Sequence, residues 1–101
     1  MNGKIKEYFN NGKIRFEGEY IKGKIWNGNG YKINGDEDYA IKNGKGYIKE
    51  YDNLGDKIEF EGEYLEGVRN GKGKEYYYNG KLKYDGEYLN GKRNGKGKEY
   101  Y

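Results

Sequence analysis

The chain has no histidine, cysteine, serine, threonine, glutamine or proline. Serine, cysteine and threonine nucleophiles are therefore absent, and no imidazole serves as a general base or metal ligand. The common catalytic triads are excluded, as are zinc sites built from Cys and His and any disulfide framework. The expectation is a protein that is not an enzyme, with no catalytic residue, no metal site and no cofactor. Long apolar runs are missing too: nowhere do six apolar residues follow one another, and the opening MNGKIKEYFNNG has no apolar h-region. These features predict neither a signal peptide nor a membrane-spanning segment, and an intracellular location, cytoplasmic or membrane-peripheral.

What is present is unusual. Of 101 residues, 33% are hydrophobic and 37% charged, and fourteen are tyrosine. Any core must be thin and aromatic. High charge with low hydropathy favours disorder, but disordered chains are poor in aromatics, and 18% aromatic content argues for ordered packing.

The chain repeats itself. Residues 60–83, FEGEYLEGVRNGKGKEYYYNGKLK, are followed in register at a period of 24 by residues 84–101, YDGEYLNGKRNGKGKEYY, which stop six residues short of a full copy. Residues 16–32 have the same head with one inserted residue, residues 33–59 form a diverged copy, and residues 1–15 match the tail half of a unit. The whole chain is a single repeat array with no separate catalytic domain or linker.

Each unit has the pattern of strands joined by tight turns. Ten of the twelve Asn residues are followed by Gly, the pair that supplies two positive φ angles to a type I′ hairpin turn. Asn79-Gly80 is predicted to be such a turn, and Asn70-Gly71 to turn the chain as well. Beyond the first, Leu82, Tyr84, Gly86 and Tyr88 fall on one face while Lys83, Asp85 and Glu87 fall on the other, the alternation of a half-buried strand. Helix is disfavoured by a Gly every few positions, each costing about 1 kcal/mol in a helix interior. Phe60, Gly62 and Tyr64 share a face, so Gly62 leaves a slot for an aromatic ring of the adjacent unit, as do Gly18 and Gly86. Glu61 and Glu63 point the opposite way, toward lysines such as Lys81 and Lys83 if the strands pair sequentially.

The spacing Phe60-x-Gly62-x-Tyr64-x-x-Gly67-x-x-x-Gly71-x-Gly73, repeated at Tyr84, Gly86, Tyr88, Gly91, Gly95 and Gly97, resembles the MORN repeat. Tyr stands for that family's usual Trp at Tyr20, Tyr64 and Tyr88, and the tail YYNGKLK resembles the bacterial variant. Over residues 33–59 the resemblance weakens, since Ile33 replaces the leading aromatic and no counterpart of Gly67 is evident. The resemblance implies an all-β fold: an elongated, twisted antiparallel meander of stacked β-hairpins in a single sheet, with a grooved face. It also implies an interaction module or scaffold that contacts a protein or an anionic membrane, or, as in bacterial relatives, an antitoxin or immunity-like protein that neutralises a partner toxin. The repeated Gly and Tyr residues are expected to be structural first.

Motifs that suggest chemistry fail on their details. A phosphate loop needs a Ser or Thr after its GK. The acidic GDED of residues 35–38 lacks the spaced ligands of a calcium loop and is expected to be a solvated turn. Glu61 and Glu63, two residues apart on an exposed face, have nothing to separate their pKa values for glycoside hydrolysis. Charge is the better lead. Residues 1–32 carry seven basic and three acidic side chains, residues 33–66 four and ten, and residues 69–101 nine and four. That is ordinary surface solvation, or else a patch for an acidic partner or anionic lipid headgroups. On the second reading the partner-binding residues are Tyr20, Tyr64 and Tyr88 in the groove, with Arg69, Lys72, Lys92, Arg93, Lys96 and Lys98 at the basic turns. Single-stranded nucleic acid ranks last, because the chain has only three Arg and no basic block. A chain that opens and closes part-way through a unit further predicts self-association through its terminal strand edges, or a longer array.

Overall fold

The computed structural model describes residues 2–101. Among the described residues nine strands follow one another: β1 (Gly3–Tyr8), β2 (Ile14–Ile21), β3 (Lys24–Tyr31), β4 (Glu37–Ile41), β5 (Gly46–Tyr51), β6 (Ile58–Leu65), β7 (Val68–Tyr76), β8 (Leu82–Leu89) and β9 (Lys92–Glu99). They form two antiparallel meanders, a four-stranded sheet β1-β2-β3-β4 and a five-stranded sheet β5-β6-β7-β8-β9.

Two kinds of connection alternate. At one end of the strands lie two-residue turns in which both residues have positive φ: Lys22-Gly23, Asn43-Gly44, Glu66-Gly67 and Asn90-Gly91. This is the type I′ signature, whose twist matches that of the flanking strands. Lys22 and Glu66 adopt it at φ 52° without being Asn, so the hairpin register overrides local preference there. These turns are tied to their neighbours through backbone bonds from Gly44 N to Trp26 O, Gly67 N to Gly44 O and Gly91 N to Arg69 O. Gly44 thus fills the role of Gly67 in the diverged unit, a counterpart that the spacing alone conceals. At the other end the loops are longer. Phe9 N and Gly12 N, Lys32 N and Gly35 N, and Tyr77 N and Gly80 N close three-residue loops, each with one Gly at positive φ. Asn79-Gly80 is therefore a type I turn followed by a left-handed Gly, the bulged hairpin loop, and not the type I′ turn predicted.

The core lies on one face and is built on glycine pairs. Gly18 stands opposite Gly28, Gly62 opposite Gly73, and Gly86 opposite Gly97. A Cβ on Gly62 would lie 2.6 Å from the Gly73 Cα and 2.8 Å from the Phe60 ring. Each slot is thus covered by the leading ring of its own unit, Phe16, Phe60 or Tyr84, with Tyr88 of the next unit also touching Gly73. The expectation that an adjacent unit fills the slot holds only for that second contact. Phe60 is wholly buried and meets Tyr88 edge-on at 5.2 Å, and Tyr88 meets Tyr84 in the same way at 5.7 Å. Burying a phenylalanine is worth about 1.5–3 kcal/mol, so these rings are a large part of what holds a thin sheet. In the first unit Gly28, rather than Gly30, stands opposite Gly18. Its return strand is one residue shorter than that of β7 rather than one longer.

The single sheet of the sequence reading is corrected to two. From β4 to β5 only the Lys42–Lys45 bridge forms. Counting back from the tight turn, Tyr39 occupies the position that Gly62 holds in the next hairpin, and Ile48 directly precedes Lys49-Glu50-Tyr51 as Gly73 precedes Lys74-Glu75-Tyr76. Two large side chains cannot share that close approach, and β4 and β5 splay. Ile41 and Ile48, with Phe16, fill the opening as a buried cluster, flanked by Tyr39, Tyr20, Ile25 and Tyr64. The two sheets pack on each other through this cluster. The molecule measures 36 × 28 × 19 Å with a radius of gyration of 13.6 Å, close to the ~13 Å of a compact domain of this length, so the expected elongation is slight. Between the sheets lies a cleft of about 500 Å³.

Candidate functional site

The strands present two unlike faces. On the ring face a three-residue arrangement recurs. Glu50 stands opposite Phe60, and Tyr64 stands opposite Arg69. The Tyr64 hydroxyl donates to Glu50 Oε2 at 2.6 Å, while Arg69 Nε and Nη2 donate to the same carboxylate at 3.1 and 2.8 Å. The Arg69 guanidinium also lies over the Phe60 ring at 4.0 Å. One unit later Glu75, Tyr88 and Arg93 repeat the pattern: Tyr88 donates to Glu75, Arg93 donates to it at 2.9 and 3.1 Å, and the guanidinium lies over Tyr84 at 4.3 Å. Forked pairs of this kind are the strong form of the ion pair. In the first unit Tyr20 donates to Glu7 at 3.0 Å, but Ile25 stands opposite Tyr20 where the other units have Arg.

The electrostatics follow this geometry. Burial, reinforced by the Glu7 carboxylate, pushes the Tyr20 hydroxyl up to about 12. Burial and the neighbouring carboxylates Glu50 and Glu75 raise Tyr64 and Tyr88 as well. The Arg93 hydrogen bond holds the Glu75 carboxyl below its usual range against the opposing cost of desolvation. All five ring-face candidates are thus built into the fold: Tyr20, Tyr64 and Tyr88 as donors, Arg69 and Arg93 as clamps.

The opposite face carries charge. In register across the second sheet stand Lys49, Glu61, Lys74, Asp85 and Lys98, alternating in sign from strand to strand. Glu61 thus faces Lys49 and Lys74, not Lys81 or Lys83, because β6 pairs with β5 and β7. Strand alternation puts Lys72, Lys92, Lys96 and Lys98 on this face, and all four are exposed. Asn70 and Gly71 do not turn the chain. They lie inside β7, in a bulge opposite Glu63 whose carboxylate accepts from Lys72 N at 3.0 Å. Tyr76 lies near Glu61 and Asp85 on this side. Within GDED, Asp36 is in a turn and exposed, but the Asp38 carboxylate is buried in β4 and accepts from Lys49 at 3.1 Å and Tyr51 at 2.7 Å. Asp38 is therefore a structural anchor rather than part of a solvated turn.

Glu7, Glu50 and Glu75 were missed as members of the arrangement. Their signal was the recurring Lys-Glu-Tyr at residues 6–8, 49–51 and 74–76.

The model of the MORN repeat matches residues 60–81 and 84–101. The chain carries MORN repeats over these residues. The matched residues contain the hairpins β6-β7 and β8-β9, each with its ring, glycine pair and Tyr–Arg register. No curated protein and no solved structure matches the chain. Ile25, Tyr39 and Ile48, where the chain departs from the pattern of these two hairpins, lie outside the matched residues. Among the described residues no helix is long and apolar enough to cross a membrane.

Proposed function

We propose that this MORN-repeat array is a non-enzymatic interaction module that docks an acidic surface of a partner protein on its charge face, beside β9. The supporting observation is the division of the cations. Arg69 and Arg93 are held by carboxylates of the ring face, whereas Lys72, Lys92, Lys96 and Lys98 are exposed together on the other. Lys98, opposite Asp85, has an acidic cross-strand neighbour on the β8 side alone. The alternation of sign along the row favours a partner with a fixed complementary pattern over a uniformly anionic membrane, because like charges placed opposite each other oppose docking.

The test compares the natural sequence with Lys96→Glu combined with Lys98→Glu, both immobilised and exposed to extract from the source cells, and separately to vesicles containing phosphatidylserine. The reading expects a protein retained by the natural sequence and lost with the variant, and vesicle binding too weak to distinguish them. Identical retained proteins from both columns would overturn it. A variant-sensitive vesicle interaction with no retained protein would replace the protein partner with a lipid surface.

A further inference from the structure

We infer that the cleft between the two sheets is a binding site for a guanidinium group, the side chain of an arginine presented by a partner, with Glu7 as its anchor. The inference deepens the reading of the protein as a protein-binding module and uses a different surface from the lysine face.

The repeat itself points to this site. Glu7 stands opposite Phe16, as Glu50 stands opposite Phe60 and Glu75 opposite Tyr84. In each case the Tyr four residues after that ring donates to the carboxylate: Tyr20, Tyr64 and Tyr88. The third member is an arginine in two units and Ile25 in the first. Glu7 is thus set for a forked cation that the chain does not supply, and no ion pair reaches it among the described residues. Lys6 pairs with Glu17 instead. Arg15, the nearest guanidinium in sequence, is directed elsewhere, donating to the carbonyls of Tyr51 and Asp52 and to Asn53.

The space is there as well. Glu7, Phe16 and Ile25 line the cleft of about 500 Å³ that opens where β4 and β5 splay. Its walls carry the carboxylates Glu7, Glu50, Asp52 and Glu59 against Arg15 and Lys49; Glu50 is already paired with Arg69 and Lys49 with Asp38, which leaves Glu7, Asp52 and Glu59 against Arg15. The cleft therefore favours a cation. Tyr39 also lines it, with a hydroxyl raised by burial and by the nearby Glu7 charge. Arginine suits the site better than lysine, because the internal precedents present a planar fork to the carboxylate while stacking on the leading ring.

The probe is N-acetyl-arginine amide, titrated into the full chain and followed by NMR at Glu7, Tyr20 and Tyr39. The expected result is a saturable shift at these residues, weakened about tenfold or more by Glu7→Gln, as for loss of a charge-assisted pair. The neutral isostere N-acetyl-citrulline amide should bind about tenfold more weakly than the arginine probe on the same ground. Ile25→Arg supplies the missing group in cis and should abolish probe binding while raising the melting temperature. Should that variant fail to fold, Glu7→Gln decides the matter. Absence of any shift at these residues, or equal shifts with Glu7→Gln or with citrulline, would overturn the proposal. Arginine binding without a retained partner would leave the cleft assignment standing and remove the protein-partner reading, and the converse result would do the reverse.

Discussion

Residues 43–46 and 70–73 are both Asn-Gly-Lys-Gly, and the chain uses them differently. In the first, Asn43-Gly44 is a tight turn with both residues at positive φ; in the second, Asn70 and Gly71 form a bulge inside β7. The difference is set by what lies around them. Leu65-Glu66-Gly67-Val68 has already turned the chain before Asn70, so the second NGKG extends the return strand and puts Gly73 opposite Gly62. Before Asn43 there is no such turn, and the return strand β5 is two residues shorter between its turn and its Lys-Glu-Tyr. Tyr39 and Ile48 then take the place of a glycine pair, the sheet parts, and the cleft that contains Glu7 opens. A repeat unit that loses its glycine pair gives up sheet continuity and gains a cavity.

The largest effect should come from imposing the junction's chemistry on the intact hairpin. Gly62→Val places a branched side chain against the Gly73 backbone, where even a Cβ would be 2.6 Å from its Cα. Overpacking of this kind costs roughly 1–3 kcal/mol, and more when backbone must move. Denaturant unfolding should show a loss at or above the top of that range. Gly12→Ala, at φ +86° with nothing within 4 Å, should lose only about 1–2 kcal/mol from left-handed backbone strain. Equal losses would mean that the glycine pair is not a point of close approach.

A smaller effect should separate a closed unit from an open one. The Glu75 carboxyl is lowered in the folded protein by its Arg93 hydrogen bond. A depressed carboxylate contributes stability that is fully present above its unfolded value, about 4.3, and is lost as pH falls through the lower folded value. Melting temperature should therefore decline as pH drops below that region, and Arg93→Met should flatten the decline while lowering stability at neutral pH. An unchanged acid limb with Arg93→Met would remove the pair from the account.

Much of this was legible in the sequence. Period-two alternation in Leu82–Tyr88 and the recurring Gly identify strands and close packing, because both follow from local geometry. The type of each turn was not legible: Asn-Gly serves type I′ turns at Asn43 and Asn90, a bulged loop at Asn79 and an in-strand bulge at Asn70, and only distance from the preceding turn tells them apart. The Tyr–Glu–Arg arrangement was hidden for another reason. Glu50 and Arg69 are nineteen residues apart and belong to neighbouring units, so reading one unit at a time assigns Arg69 and Arg93 to the surface. The division into two sheets depends on β4 and β5 lacking a glycine pair, with Tyr39 and Ile48 in its place, which becomes visible only once the shorter stretch between Asn43-Gly44 and Lys49-Glu50-Tyr51 is counted.

The most direct measurement of the central claim is amide hydrogen exchange resolved by residue across β4-β5 and β6-β7. The account predicts strong protection through the β6-β7 ladder, from Phe60 opposite Glu75 to Leu65 opposite Val68. Beyond the Lys42–Lys45 bridge, it predicts no protection attributable to pairing between Glu37–Ile41 and Gly46–Tyr51 on the edges that face each other. Continuous protection along those facing edges, equal to that of β6-β7, would contradict it: the sheet would be unbroken and the cleft closed.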